Sequence, residues 1–136
     1  VSGKSIWIPR TSQAPPALAE RLREIDNNVQ EVYVYESQLP TDRKLRVRFF
    51  QDLVDGQIHA IIFSSSLGVK NLFQMLAEQV STEKLREIMH NKLTIVAIGP
   101  TTAETLAKMG LKAAVMPEKH LFEEALNALA RYWDTN

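Results

Sequence analysis

Thr94-Ile95-Val96-Ala97-Ile98-Gly99-Pro100-Thr101-Thr102-Ala103-Glu104 is the stretch that decides how this chain folds. It begins as a run of mostly β-branched apolar residues closed by Gly-Pro, the pattern of a strand buried on both faces in a parallel sheet covered by helices. A helix is expected immediately afterwards. Thr101 and Glu104 have the T-x-x-E spacing of a capping box, Ala103, Leu106 and Ala107 form an inner stripe, and Gly110 after Met109 offers a left-handed stop. Two hydroxyls and several backbone N–H groups then lie at the carboxyl end of a central strand, where open α/β sheets bind ligands. Such a turn commonly does no more than start a helix, so the functional reading depends on the rest of the chain.

The same arrangement occurs one unit earlier. Ala60-Ile61-Ile62-Phe63 is a continuous apolar strand, and Ser64-Ser65-Ser66 leads from it into a helix lined by Val69, Leu72, Phe73, Leu76 and Val80. Between the two units, Ser81-Thr82-Glu83 caps a short helix through His90, with Leu85, Ile88 and Met89 inward. After them come a last short strand, Ala113 to Met116, ended by Pro117, and a closing helix from Leu121 to Trp133. Its expected buried side is Phe122, Ala125, Leu126, Leu129 and Tyr132 or Trp133.

Upstream, Ser5-Ile6-Trp7-Ile8 reads as a strand closed by Pro9, with Arg10 at its carboxyl end and a loop from Thr11 to Pro16. Leu18, Leu22 and Ile25 mark an amphipathic helix over Ala17 to Asp26, and Asn27-Asn28 is its exit turn. Val29 to Tyr35 is a strand with Val32 and Val34 on one face and Tyr33 and Tyr35 on the other. Glu36 to Asp42, with Pro40, is an extended connector. Lys44 to Val54 is a helix presenting Leu45, Phe49, Phe50 and Leu53, stopped by Asp55-Gly56.

The order β-α-β-α-β-α-α-β-α-β-α calls for an α/β fold with right-handed crossovers. The expectation is a flavodoxin-like parallel sheet of order 2-1-3-4-5 with helices on both faces. The 136 residues fit one compact domain with a real core and leave no room for two ordinary ones. The first residue is Val rather than Met, so the chain is expected to be a piece of something longer.

Composition excludes several functions. Sixteen basic and sixteen acidic residues cancel, so no global field favours nucleic acid or an anionic membrane. No apolar run approaches the roughly 18 to 20 residues of a membrane span. The absence of cysteine removes disulfides, thiolate metal sites and a Cys nucleophile, and fits a reducing cytoplasm. Gly3-Lys4-Ser5 resembles the tail of a phosphate-binding loop, but a strand follows where a helix is needed. His59, His90 and His120 fall in three separate elements without ligand spacing, so they read as surface or half-buried histidines and imply no metal. The first strand lacks the glycine pattern of a dinucleotide site, and the serine turn lacks a nucleophile elbow.

Taken together, Gly99-Pro100-Thr101-Thr102-Ala103 after a buried strand, the Phe63-Ser64-Ser65-Ser66 turn and Val34-Tyr35-Glu36 resemble the uroporphyrinogen III synthases. The resemblance covers nearly the whole chain, but only as the carboxyl-terminal half of such an enzyme. It divides residues 1–136 into a first β-α-β (1–35), a connector (36–43) and the remaining α/β units (44–136). The family's members have two α/β lobes with a cleft between them and use no metal or organic cofactor. They are cyclising lyases that convert hydroxymethylbilane to uroporphyrinogen III with its last ring inverted.

The resemblance implies a role for Tyr35 in departure of the substrate hydroxyl. It implies substrate binding by Ser64, Ser65, Ser66, Thr101 and Thr102, although Ser65 stands where the family's serine turn usually has proline. Arg10 and Lys70 are further candidates for meeting substrate carboxylates, each more simply read as a surface cation. The expected partners are the small-molecule substrate together with either a missing amino-terminal half or a second copy in a domain-swapped dimer. No nucleic acid or membrane partner is expected, the location is cytoplasmic, and this fragment alone should be inactive. The competing reading is a non-catalytic α/β ligand-sensing or interaction module. Its receiver-like form is opposed by Pro9-Arg10 and Ser64, which stand where acids would be required.

Overall fold

The computed structural model describes residues 5–11, 17–25, 28–35, 39 and 42–136, and leaves aside the side chains of 6–11, 18, 22 and 31–35. The loop expected over 12–16, Asn27, and the connector apart from Leu39 and Asp42 therefore lie outside the described residues. Two compact units divide the chain, Val1–Leu39 and Pro40–Asn136.

In the first unit, β1 (Ser5–Thr11) pairs in parallel with β2 (Asn28–Tyr35), and α1 (Ala17–Glu24) connects them. The pairing runs from Ser5 opposite Asn28 to Arg10 opposite Tyr33, then slips so that Thr11 meets Tyr35. Pro9 does not close β1 as expected but lies within it, opposite Val32. A proline is compatible with a strand where no ladder bond needs its missing N–H. Ala19 and Val29 are buried, whereas Ile25, expected on the inner stripe, is 47% exposed. The helix ends at Glu24, so Ile25 falls in the turn and leaves the stripe. The Arg23 guanidinium donates to the Val29 carbonyl at 3.1 Å and ties the helix end to β2.

The second unit contains α2 (Arg43–Val54), β3 (Ala60–Phe63), α3 (Ser66–Met75), α4 (Thr82–Lys92), β4 (Thr94–Ala97), α5 (Pro100–Lys108) and α6 (Phe122–Thr135). Asp42 caps α2 by accepting from the Lys44 and Leu45 amides, and Gly56 at φ +73° ends the turn that follows it. β3 and β4 pair in parallel from Ala60 opposite Thr94 to Phe63 opposite Ala97. Beyond β4, the last strand expected over Ala113–Met116 is a single bridge between Val96 and Val115. The Val115 amide donates to Ile95 and its carbonyl accepts from Ala97. The next ladder bond would need an N–H from residue 117, and proline has none.

Alternation along the strands divides the core into two layers. Phe63, Ile95 and Ala97, with Ile61, face a cluster built from Leu53 of α2, Val69, Leu72 and Phe73 of α3, Leu85, Ile88 and Met89 of α4, and Leu106 of α5. Val96 and Val115, with Ala60 and Ile62, face Ala125 and Leu129 of α6. Helices thus cover both faces of this small parallel sheet. At about 25 cal/mol per Å² of apolar surface, each fully buried Leu or Val contributes roughly 1.5–3 kcal/mol.

Two helices depart from expectation. α3 stops at Met75 instead of reaching Val80, because residues 76–80 turn through bonds such as Gln79 N to Leu76 O and Val80 N to Leu76 O. Val80 still packs against the core. On α6, Phe122, Leu126 and Trp133 are 55%, 46% and 48% exposed, and Ala125, Ala128, Leu129 and Tyr132 form the covered side. On α2, Leu45 is likewise exposed, while Leu53 is buried and Phe49 and Phe50 are partly so.

Candidate functional site

The in-register pairing of β3 and β4 places the turns that follow them side by side. Ile98 N donates to Phe63 O at 3.0 Å, carrying the alignment one step past the strand ends. From there the two connections satisfy their helices differently.

After β3, Ser64 is exposed and Ser65 is the N-cap of α3, its hydroxyl accepting from the Gly68 amide at 3.0 Å. Ser66, the first helical residue, reaches across to α5 and donates to the Thr101 carbonyl at 3.2 Å. Thr105, one turn further along α5, lies 2.9 Å from the Ser66 hydroxyl and 3.1 Å from the Thr101 carbonyl. These three groups brace the two helix starts against each other.

After β4, the N-cap is Gly99 and Pro100 takes the first helical position. This corrects the capping box expected at Thr101 and Glu104: the two threonines lie inside the first turn, and Pro100 explains the shift, since it is pre-organised for that position. No side chain caps this helix. Helix geometry leaves the Thr101 and Thr102 amides without intrahelical acceptors. Thr101 is exposed, whereas Thr102 is the buried polar residue found among those described, at 4% exposure. The far end of α5 is closed as expected: Gly110 at φ +80° lets Leu111 N reach Leu106 O at 2.9 Å and Gly110 N reach Ala107 O at 3.0 Å.

A third residue stands at this edge. The His120 ring lies over Gly99 so closely that a Cβ there would come within 3.1 Å of its Cγ. The sequence set His120 aside for want of ligand spacing. A signal was nevertheless present, because any residue between the last strand and the last helix belongs to the third βα connection and hence to the carboxyl edge of the sheet. Thr105 was missed too, although its place four residues after Thr101 puts both on one helix face.

Of the remaining candidates, Tyr35 is the last residue of β2, opposite Thr11, and Arg10 lies near the end of β1. Both side chains lie outside the described residues. Lys70 is exposed on α3. A cavity of about 380 Å³ lined by His90, Leu93, Thr94, Lys112 and Tyr132, among others, opens at the amino end of β4 and holds none of the candidate residues. Among the described residues, no group of three or more His, Cys, Asp or Glu is placed to hold a metal ion, and no helix is long and apolar enough to cross a membrane.

Fold and turns together define an α/β chain whose polar edge lies at the carboxyl ends of parallel strands. Residues 1–127 match the family described as uroporphyrinogen-III synthase HemD, and the chain belongs to that family. It is 31% identical over 130 residues to a putative uroporphyrinogen-III synthase of Methanothermobacter thermautotrophicus, covering 96% of this chain and 50% of that protein. It is 27% identical over 118 residues to the uroporphyrinogen-III synthase of Chlorobaculum parvum, covering 87% of this chain and 44% of that one. In fold it is similar to the crystal structure of uroporphyrinogen III synthase from the extremely thermophilic bacterium Thermus thermophilus, with a TM-score of 0.65 at 23% identity over 99% of this chain and 52% of that one. The chain spans about half the length of the relatives it matches.

Proposed function

We propose that this chain is the carboxyl-terminal half of a uroporphyrinogen III synthase, a lyase that removes the hydroxyl of hydroxymethylbilane as water and closes the tetrapyrrole with its last ring inverted. The family match over residues 1–127 carries the reading. The adjoining turns support it, because the reaction asks mainly that a flexible octacarboxylate be held and folded. In this reading the Thr101 and Thr102 amides, at the positive end of α5, receive carboxylates. Ser64 offers a free hydroxyl, Ser65 and Ser66 hold the shape of the rim, and Lys70 and Arg10 supply charge. Tyr35 hydrogen-bonds the departing hydroxyl. No cofactor takes part, and the enzyme works in the cytoplasm. A non-catalytic module is not favoured, since the match is to a family of synthases.

The test uses the complete protein. With hydroxymethylbilane it should form uroporphyrinogen III, and formation of only the isomer with an uninverted last ring defeats the assignment. In the 136-residue chain, titration with uroporphyrin III should shift the amide resonances of Ser66, Thr101 and Thr102. Responses confined to other residues defeat the site.

The same reading includes the sheet order 2-1-3-4-5, with β1 beside β3. Among the described residues β3 bonds to β4 alone, and Ala60, Ile61 and Ile62 are only half-buried, which leaves an edge for a β-α-β from elsewhere. Its source is either residues 1–35 of the same chain or those of a second copy. Pro40 and the Val-Tyr-Val-Tyr run favour an extended connector, and a short connector is the usual setting for a swap. The fragment is therefore expected as a swapped dimer with little or no synthase activity, and light scattering that shows only monomer up to near-crystallisation concentrations excludes the swap.

A further inference from the structure

The side chain facing Gly99 is hard to explain as ordinary surface. Gly99 is extended, with φ −161° and ψ 178°, a backbone that any residue adopts, so the conformation of the turn does not require glycine. A Cβ would lie 3.1 Å from His120 Cγ, 3.3 Å from Nδ1 and 3.5 Å from Cδ2, close enough that the exposed ring would have to give by a few tenths of an ångström. Gly99 itself is buried, whereas His120 is exposed. Because the atoms nearest Gly99 are Cγ, Nδ1 and Cδ2, the Nε2 edge is the one turned away from it. Among the described residues, His120 has no hydrogen bond or ion pair. The imidazole is therefore placed by contact with the turn and keeps its polar capacity for something outside the protein.

Its position says what that is. Three successive βα connections put polar groups on one edge of the sheet: Ser64 to Ser66 after β3, Thr101 and Thr102 after β4, and His120 after the Val115 bridge. α6, which follows His120, has Leu121 at its N-cap and no side-chain cap, so the imidazole is not spent on its own helix. An imidazole N–H beside backbone amides suits a carboxylate, which accepts from both.

We infer that His120 is a further substrate-binding residue, seated by Gly99 and donating to a carboxylate of the tetrapyrrole held at the start of α5; this rests on the function proposed above. Glycine at position 99 then helps to seat the ring, because an added Cβ would press on it at 3.1 Å and a larger side chain would press harder. His120 makes its bond to substrate as bound, so it contributes to affinity more than to the chemical step.

The experiment is titration of the 136-residue chain with uroporphyrin III, following backbone amides and the histidine ring resonances. Shifts at Thr101, Thr102 and the His120 ring are expected. His120→Ala should weaken binding roughly 5-fold, less than the roughly 10-fold or more of a hydrogen bond to a charged group, because the site is exposed. His120→Gln, which keeps a donor, should recover most of the loss. Gly99→Ala, which asks the ring to shift by a few tenths of an ångström, should weaken binding less than His120→Ala, and the double variant no more than His120→Ala, because both act on one interaction. In the complete enzyme His120→Ala should raise KM with kcat nearly unchanged. Shifts at Ser66, Thr101 and Thr102 without His120, or unchanged affinity in His120→Ala, overturn this inference and leave the proposed function standing. A chain that does not respond at these turns at all overturns this inference together with the proposed binding site, while the synthase assignment is decided by product formation in the complete protein.

Discussion

The turn after β3 and the turn after β4 share a plan, strand then hydroxyls then helix, but differ in what they do with the helix's free donors. Ser65 caps α3 from within by accepting from Gly68, whereas α5 begins at Gly99 without a side-chain cap, and its geometry leaves the Thr101 and Thr102 amides without intrahelical acceptors. Ser66 links the two by donating to the Thr101 carbonyl. In the proposed function one turn is structural support and the other a binding surface, although both look like hydroxyl-rich helix starts. The repetition of a motif does not imply repetition of its role; the count of donors left unsatisfied distinguishes them.

If one turn gives support, the other holds substrate and neither does chemistry, the largest effect of a single change on turnover belongs elsewhere. Tyr35→Phe in the complete enzyme should slow turnover by roughly 10²- to 10⁴-fold, the range for a positioned acid, while leaving the fold intact. Turnover close to wild type breaks the division between binding turns and a reacting side chain. A loss that appears wholly in KM sharpens it differently, by moving Tyr35 into the binding group.

Most of the framework could be read from the residues because each signal was local. The run from Thr94 to Ala97 forms β4, Ala60 to Phe63 forms β3, and Gly110 closes α5 with the left-handed conformation its position suggested. The errors come where a local signal had two physical solutions. Thr101 and Glu104 carry capping-box spacing, yet Gly99-Pro100 starts the helix earlier. Val80 fits the stripe of α3 and does pack inward, but through a turn, because periodicity records which residues reach the core and not how the backbone brings them there. On α6 the apolar arc through Phe122, Leu126 and Trp133 is wider than the surface that β4 and the Val115 bridge cover. Sequence shows an apolar face, and only the partner decides how much of it is buried. At the site, Ser66 and Thr101 were candidates, but their bond depends on strand register and could not be read from a 35-residue separation. His120 was passed over for the same reason, as its contact with Gly99 joins residues from different connections.

The smallest effect tests the comparison most directly. Ser65→Ala removes the acceptor for the Gly68 amide and should cost about 1 kcal/mol, the usual loss for an N-cap serine, measured by urea unfolding of the second unit's signals. The exposed site lets water replace part of the bond, so the upper end of the range is not expected. The alanine methyl fits without strain, because Ser65 is already extended at φ −156° and ψ 156°. Amide exchange should quicken at Gly68 and the first turn of α3, while Thr101 and Thr102 keep their exchange rates and their response to uroporphyrin III. Ser66→Ala should do the opposite, disturbing Thr101 and Thr105 across the helix pair while leaving the Gly68 amide capped. If Ser65→Ala instead weakens ligand binding as much as Ser66→Ala does, the serine turn is itself part of the binding surface. The contrast between support and surface is then wrong, and the two connections act as one continuous anion-binding rim.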